Sequence, residues 1–311
     1  MAISSATVPA VLKYRLMFGP LMILGLIGVL WLDEWLDHAA APRWVPEFIR
    51  ADGTWPPGLP IFLVGLALAP LACWELKAIF RAAGISATKG TLTFGAIAGM
   101  SACYLMPRGS DAPTGAAIIS AAAALVLAVS LVVHSRRRIP QGATAAAGAG
   151  LIAFVYLGLL FGVLLLLRRE HSAWVLLGVL VITKSCDIGA YFTGKAVGRR
   201  KLIPWLSPGK TWEGLVGGVA LAAGVGVLAV WLERQTGADG GQMALSPVEG
   251  AVLGALLAIT GQAGDLTASL LKRDAGIKDS GTILPGFGGV LDVIDSILLV
   301  APVAYWYLRV W

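Results

Sequence analysis

Two carboxylates one helical turn apart stand at the start of the last apolar stretch of the chain. Asp292 and Asp295 occur in the segment LDVIDS, with no Lys or Arg between them. This spacing places both on one face of a helix, where like charges repel unless a cation neutralises them. Mg²⁺ binds one or two protein carboxylates and fills the rest of its shell with water and substrate phosphates. The pair therefore predicts a divalent metal site.

The segment GQAGDLTASLLKR adds an acid, a hydroxyl and a cation along one helical face. Asp265, Ser269 and Lys272 are separated by four and three residues, which is the spacing of neighbours on a helix surface. Such a row can hold a metal-bound phosphate chain, although polar stripes also line channels and transporter pathways. A glycine-containing loop follows, in which backbone N–H groups can approach a phosphate closely. Its candidate site residues are Lys278, Asp279, Gly288 and Gly289.

A further ionisable pair lies inside an apolar stretch, in the segment TKSCDIGAYFTGK. Lys184 and Asp187 are three residues apart and share a helical face. Ionisable side chains at membrane depth are costly, so function is the default interpretation. The alternative is an ion pair that locks two spans together.

The segment SPGKTWEG contains Gly-Lys-Thr and invites comparison with a nucleotide-binding loop. That pattern requires Gly at the position of Pro204 and a preceding strand, which the sequence does not predict here. We instead expect a tight Pro-Gly turn that presents Ser207, Lys210 and Thr211 to an anion before a helix begins.

The composition places these polar residues in a membrane protein. Of the 311 residues, 57% are hydrophobic and 14% charged, and the mean hydropathy is +0.79. Apolar stretches of about 20 residues cross a bilayer, and nine such spans are predicted. They lie near 16–32, 59–80, 91–106, 114–133, 143–167, 173–192, 214–232, 247–264 and 291–308. The predicted fold is an all-α, polytopic integral membrane protein with about nine transmembrane helices.

The polar residues divide the predicted spans into two regions. Residues 1–170 are expected to form about five spans with plain connectors, and residues 171–311 about four spans that carry the catalytic loops. Lys and Arg concentrate on the cytoplasmic side of membrane proteins. With a cytoplasmic N-terminus, 16 of these residues fall inside, 7 outside and one, Lys184, within a span. This asymmetry predicts a polar cavity that faces the cytoplasm.

Other classes of function fit less well. The net charge of +6 follows the predicted topology and attracts anionic headgroups or substrates, so no nucleic-acid partner is expected. The three cysteines have no paired spacing, which argues against a disulfide framework or a zinc site. Lysines and a metal on one face suit phosphoryl or nucleotidyl transfer, which needs charge neutralisation more than a nucleophilic side chain.

The sequence resembles the phosphatidate cytidylyltransferase (CDP-diacylglycerol synthase) family of bacterial inner membranes. The resemblance rests on CDIGAYFTGK with SPGKTWEG, on GDLTASLLKR, and above all on SLLKRDAGIKDSGTILPGFGGVLDVIDS. It covers roughly residues 180–300, and the N-terminal half matches only in hydropathy. Three positions depart from the family pattern: Phe287 replaces a His, Val293 an Arg and Ala268 a Glu.

The resemblance implies the reaction of CTP with phosphatidic acid to give CDP-diacylglycerol and pyrophosphate, with Mg²⁺ required. Asp265 and Asp292 are expected to bind the metal, and Asp295 to support them or hold a second cation. The remaining predicted catalytic residues are Lys272, Lys278 and Asp279, and the predicted substrate-binding set is Lys184, Asp187, Ser207, Lys210, Thr211, Ser269, Arg273, Gly288 and Gly289. Contact with membrane lipids and a homodimer are further implications.

Two rival functions remain open. A CTP-dependent lipid kinase of the polyprenol type would transfer the γ-phosphate instead of the nucleotidyl group. A secondary transporter would use Lys184 and Asp187 for ion coupling, but transporters often repeat their polar elements in both halves. Here we identify polar site positions within spans only in the C-terminal half.

Overall fold

A computed structural model gives the fold of the chain. It describes residues 8–44, 53–107, 109–237, 245–278, 280, 281, 283, 286 and 288–310. The helices are α1 (Val8–Asp37), α2 (Leu59–Ala82), α3 (Lys89–Tyr104), α4 (Ala112–Ser135), α5 (Ala143–Ile152), α6 (Leu160–Glu170), α7 (Ala173–Val197), α8 (Trp212–Thr236), α9 (Pro247–Asp274) and α10 (Val290–Val310). A π-helix (Ala153–Leu159) joins α5 to α6, and strands β1 (Lys201–Ile203) and β2 (Ser207–Thr211) precede α8.

Local capping fixes where several helices begin. Thr88 and Asp111 accept hydrogen bonds from backbone N–H groups in the first turns of α3 and α4. Ser246 and Glu249 form a reciprocal capping box at the start of α9. Side-chain oxygens at these positions satisfy N–H groups that have no partner inside the helix. The helix starts are therefore encoded locally.

The helices form an antiparallel bundle whose two ends differ in content. We call the end that carries β1 and β2 the hairpin end, and the opposite one the Arg168 end. The starts of α2 and α7 and the last turn of α10 lie at the Arg168 end, because Gly58 and Arg168 both contact Asp33, and Tyr305 contacts Glu170. The described chain therefore begins at the hairpin end and finishes at the Arg168 end, which matches the predicted alternation of spans.

One of the nine predicted spans is shorter than the others. Within the described residues, eight helical segments are long and apolar enough to cross a membrane, and they correspond to eight of the nine predicted spans. The third predicted span coincides with α3, which has 16 residues. Its length is about 24 Å, short of a bilayer core of about 30 Å. The guanidinium of Arg169 nevertheless donates to the carbonyls of Cys103 and Tyr104, so α3 ends at the Arg168 end like a spanning helix.

Glycines let the helices approach backbone to backbone. A Cβ added at Gly99 would overlap the backbone of Gly158 in the π-helix, and one at Gly226 in α8 would overlap Gly250 in α9. Small residues at such crossings allow close van der Waals packing where lipid offers no hydrophobic driving force between helices. The bundle is therefore tight around α3 and around the α8–α9 pair.

A buried ion cluster closes the Arg168 end. The Arg168 side chain, 2% exposed, pairs with Asp33 and Asp37 of α1 and lies 3.3 Å from Glu34. Glu34 also accepts a hydrogen bond of 2.7 Å from the backbone N–H of Ala173 at the start of α7. The cluster ties α1 to α6 and α7, although most of α1 faces outward.

The hairpin corrects one sequence-based expectation. Ser207–Thr211 is not a turn but strand β2, paired antiparallel with β1 so that Lys201 faces Thr211. A strand of three residues with one bulge has too little alternation to be seen in a sequence. Trp205 at the tip is 72% exposed and Trp212 after β2 is 53% exposed, which is typical of side chains at the headgroup level.

Candidate active site

Two lysine–aspartate pairs meet at the hairpin end and join three elements. Lys272 of α9 lies 2.7 Å from the Oδ1 atom of Asp292 in α10. Lys210 of β2 lies 2.5 Å from the Oδ2 atom of Asp265 in α9. These four side chains are between 11% and 36% exposed, although the Nζ atom of Lys210 is itself buried. The predicted metal ligands and the predicted phosphate-binding lysines are therefore neighbours in space.

The α7 pair extends this cluster. Lys184 Nζ lies 3.6 Å from Asp187 Oδ2 and donates a hydrogen bond of 2.8 Å to the Ser296 hydroxyl of α10. Gln262 of α9 donates to Asp187 Oδ1 at 3.1 Å. Lys184 and Asp187 are 47% and 45% exposed, so the pair connects α7 to the site and leaves this side of the site accessible.

Asp295 is the most enclosed acid of the cluster. It is 4% exposed, and its Oδ1 atom accepts a hydrogen bond of 2.5 Å from the neighbouring Ser296 N–H. Within the described part of the chain, no Lys or Arg lies within ion-pair distance of its carboxylate. Asp265 repels it and Lys184 and Lys272 attract it over longer distances. A buried carboxylate in this setting favours a nearby cation.

The three aspartates of the cluster are the type of ligand that Mg²⁺ prefers, but they do not form a complete metal site by themselves. Carboxylate oxygens are hard ligands, and Mg²⁺ needs only one or two of them. Among the described residues, no three His, Cys, Asp or Glu side chains converge as a ready metal site. Asp265 and Asp292 are held by Lys210 and Lys272 instead. These residues fit a metal that binds together with phosphate groups. The phosphates would pair with the lysines and leave the aspartates free to bind the metal.

The remaining predicted site residues are less engaged. The Thr211 hydroxyl accepts from the Gly214 N–H at 3.1 Å and so caps α8. Four side chains make no hydrogen bond or ion pair within the described residues: Ser207, Ser269, Arg273 and Lys278. Asp279 of the predicted catalytic set lies outside the described residues, as does Phe287.

The two glycines of the predicted phosphate loop pack against side chains of the chain itself. Gly289 donates its N–H to Asp292 Oδ2 at 2.9 Å. Gly288 has a φ of +91°, and an added Cβ there would lie 2.7 Å from the same oxygen. A left-handed φ and this contact both favour glycine at 288. Phosphate binding by these glycines stays a prediction.

Three contributors to the site were missed in the sequence. Glu75 of α2 accepts hydrogen bonds from Ser280 and from the first turn of α10. Gln262 holds Asp187, and Tyr156 of the π-helix is buried with its hydroxyl acted on electrostatically by the acids of the cluster. One signal was available, because Glu75 is a carboxylate inside a predicted span and such residues are functional candidates by default. Uncharged Gln262 and Tyr156 gave no comparable signal.

Comparison with known proteins identifies the family of the chain. The sequence profile described as "Cytidylyltransferase family" matches residues 53–311. The match begins far upstream of residue 180, so the resemblance extends into the N-terminal half, where only hydropathy was expected to match.

Individual relatives come from several bacteria. A phosphatidate cytidylyltransferase of Pseudomonas aeruginosa is 38% identical over 241 residues, which is 76% of this chain and 83% of the relative. One of Bacillus subtilis is 38% identical over 162 residues, 51% of this chain and 57% of the relative. The uncharacterized protein YnbB of Escherichia coli is 39% identical over 154 residues, 45% of this chain and 49% of the relative.

The chain thus spans about half the length of the E. coli and B. subtilis relatives and most of the Pseudomonas one. The profile match covers both the helices that frame the lysine–aspartate cluster and the cluster itself. The chain is a polytopic membrane protein that belongs to the cytidylyltransferase family.

Proposed function

We propose that this protein transfers the cytidylyl group of CTP to phosphatidic acid, releasing pyrophosphate and leaving CDP-diacylglycerol in the membrane. The observation that carries the proposal is the pairing of Lys210 with Asp265 and of Lys272 with Asp292 at one end of a membrane bundle. Such a site could serve phosphoryl or nucleotidyl transfer, and membership of the cytidylyltransferase family favours transfer of a cytidylyl group.

In each ion pair, substrate binding would replace the present partner of the lysine and of the aspartate by a new one. A triphosphate entering the site would draw Lys210 and Lys272 away from their aspartates, and Asp265 and Asp292 would become available to a cation. Bound Mg²⁺ would supply charge neutralisation of the phosphates, with Asp265 and Asp292 holding it and Asp295 supporting them or holding a second cation. The exchange keeps every buried charge paired, which avoids the cost of an isolated charge.

The reaction needs little acid–base help from the protein. An oxygen of the lipid phosphate forms a new bond to the α-phosphorus of CTP, and the bond from that phosphorus to the bridging oxygen of the β-phosphate breaks. The lipid phosphate is already an anion near pH 7, so its attack requires no strong general base. The lysines stabilise the charge that passes to the departing pyrophosphate.

Lys184 and Asp187 are suited to the lipid side of the site. They are half exposed on α7, whose neighbouring Ile188, Tyr191 and Phe192 are 55%, 61% and 65% exposed. In a bilayer this apolar face would contact acyl chains, while Lys184 would meet the lipid phosphate. Phosphatidic acid would then enter from the membrane and CTP from the water phase.

Radiolabelled CTP tests the proposal. The detergent-purified protein is incubated with phosphatidic acid, Mg²⁺ and CTP labelled at the α-phosphate. The expected result is label in the lipid fraction that disappears without Mg²⁺. Label that reaches lipid only from the γ-position would show a lipid kinase instead. A parallel reaction contains γ-labelled CTP and a polyprenol. No label in lipid in either reaction, with folded protein, would overturn nucleotidyl and phosphoryl transfer together.

We also propose that the hairpin end faces the cytoplasm of a bacterial inner membrane, with the N-terminus on the same side. A membrane-impermeant thiol reagent should label Lys201→Cys only from the cytoplasmic side and Arg309→Cys only from the other, since the three native cysteines are buried. The opposite labelling pattern would reverse the orientation. The homodimer stays a prediction, which light scattering in detergent would check.

A further inference from the structure

One buried carboxylate near the site has no cation beside it. Glu75 in α2 is 1% exposed, and within the described residues no Lys, Arg or His lies within ion-pair distance of it. Its oxygens instead accept from the Val290 N–H at 2.8 Å, the Leu291 N–H at 2.9 Å and the Ser280 hydroxyl at 3.2 Å. A buried charge is costly unless it is compensated, so these three hydrogen-bond donors must compensate the carboxylate in place of a cation.

Two of the three donors, the N–H groups of Val290 and Leu291, belong to the N-terminus of α10. The first N–H groups of a helix lack partners inside the helix, and the helix dipole makes this end favourable for an anion. Glu75 thus caps α10 from a helix more than 200 residues away in sequence. Its carboxylate occupies N–H groups that would otherwise be free to bind a phosphate.

Three described residues before α10, at positions 280, 281 and 289, pack against this carboxylate. A Cβ added at Gly281 would lie 2.9 Å from Glu75 Oε1, and one at Gly289 would overlap the carboxylate itself. Ser280 links the two acids, because its hydroxyl donates to Glu75 and its backbone N–H lies 3.4 Å from Asp292 Oδ2. Glu75 therefore limits the space at 281, and Glu75 together with the Ser280 hydroxyl limits the space at 289, so glycine fits best at both positions.

We propose that Glu75 is a positioning residue of the active site, which fixes the first turn of α10 and thereby the direction of Asp292 and Asp295. The inference places α2, from the N-terminal half, among the elements that build the metal and phosphate site. It rests on the proposed function for its effect on turnover, but its effects on backbone exchange and on metal binding are separate from that reaction.

The test compares Glu75→Gln with a matched variant, Asp33→Asn. Gln keeps the shape of Glu75 but presents an NH₂ group to N–H donors and loses the charge. Asp33 is also fully buried and accepts a backbone N–H, from Gly58, but at the Arg168 end. Both full-length proteins are purified in detergent. Hydrogen exchange of the segment 280–292, Mn²⁺ affinity by electron paramagnetic resonance, and turnover are measured on each.

Glu75→Gln should speed exchange across 280–292 and weaken Mn²⁺ binding by about 10- to 100-fold, as loss of residues that orient metal ligands typically does. Turnover should fall with it. Asp33→Asn should lower the melting temperature and leave exchange across 280–292 and Mn²⁺ affinity unchanged. Glu75→Gln with normal exchange and normal Mn²⁺ affinity would overturn the inference, as would a loss of thermal stability alone.

A milder variant covers the case in which Glu75→Gln does not fold. Ser280→Ala removes only the longest of the three hydrogen bonds to Glu75 and should weaken Mn²⁺ binding about 3-fold, corresponding to part of one hydrogen bond. An unchanged Mn²⁺ affinity in Ser280→Ala would contradict the positioning role of Glu75. Should the unaltered protein transfer no cytidylyl group, the proposed function fails, whereas the exchange measurement still decides the role of Glu75.

Discussion

The two ends of the bundle both gather charged side chains, but they hold them in opposite ways. At the Arg168 end, one guanidinium that is 2% exposed sits among the carboxylates of Asp33, Glu34 and Asp37. At the hairpin end, separate lysine–aspartate pairs are partly exposed to solvent, Lys272 and Asp292 at 11% and 17%. Charge inside a membrane protein is therefore not by itself a sign of chemistry.

What separates the two clusters is whether their partners can be exchanged. Arg168 is enclosed and its planar guanidinium contacts several oxygens at once, so replacing any partner would leave a buried charge. Lys210 and Lys272 each pair with a single aspartate, and the side chains of these two pairs stay 11% to 36% exposed. The first arrangement stabilises the fold, and the second can admit ions. Four experiments test this contrast, from the largest expected effect to the smallest.

Asp292→Asn should remove activity and leave the fold intact. The amide keeps the shape of the side chain but is a poor metal ligand, and the loss of metal-dependent stabilisation of several kcal/mol corresponds to roughly 10³-fold in turnover. Turnover is measured with α-labelled CTP, and the melting temperature serves as the control. Normal turnover in the folded variant would remove Asp292 from the metal site.

Arg168→Met should do the reverse. The change leaves buried carboxylates without their cation, which typically costs about 3 to 5 kcal/mol. The melting temperature should fall sharply, while turnover per folded molecule at low temperature stays at the level of the unaltered protein. Lost turnover in molecules that remain folded would show that the Arg168 end takes part in the chemistry.

Metal and nucleotide should assist each other at the hairpin end. Either ligand alone breaks an ion pair and leaves one partner uncompensated, whereas both together satisfy every charge. CTP should raise Mn²⁺ affinity by about 5- to 150-fold, after the metal bound by CTP in solution is subtracted. In Lys210→Met, no lysine at position 210 competes with Mn²⁺ for Asp265. Mn²⁺ alone should therefore bind more tightly, and the increase in affinity caused by CTP should be smaller. Equal affinity with and without CTP would contradict exchange of ion-pair partners.

Tyr156→Phe should produce the smallest change. The Tyr156 hydroxyl is buried and has no hydrogen-bond partner within the described residues, while the charges of Asp295, Asp265 and Asp292 act on it. We expect it to donate to a ligand oxygen when the site is loaded. Its removal should weaken Mn²⁺ binding in the presence of CTP about 5-fold, or about 1 kcal/mol, without lowering the melting temperature.

A matched tyrosine sharpens this last comparison. The Tyr307 hydroxyl donates to the Glu249 carbonyl at 2.9 Å, near the Arg168 end. Tyr307→Phe should therefore lower the melting temperature and leave Mn²⁺ affinity unchanged. The role given to Tyr156 would be wrong if its variant lost stability and kept full affinity.

The sequence was most informative where the chemistry is local. Apolar length located the spans, and the spacing of Asp265 and Lys272 along one helix predicted residues that lie together in the structure. The strand at 207–211 was missed because it is short and its partner is shorter still. The third span was predicted at 91–106 and has the same length as α3, but α3 begins two residues earlier, at Lys89, where Thr88 caps the helix.

Contacts across the bundle escaped sequence reasoning for a different reason. Glu75 binds backbone N–H groups, which every residue except proline carries and which leave no mark in a sequence. Arg168 was assigned only to the charge count of one membrane face, although its three carboxylates come from α1. Pairing between residues this far apart depends on how the helices cross, and periodicity along one helix contains no information about that.

The contact between Glu75 and the start of α10 also has a consequence for chimeric proteins. Exchanging the last four helices between two members of the family would join an α2 from one parent to a 280–291 loop from the other. Such a hybrid needs a carboxylate at position 75 and glycines at 281 and 289 at the same time, because any Cβ at those glycines would meet that carboxylate. Functional crossovers should therefore be found only between parents that share all three residues.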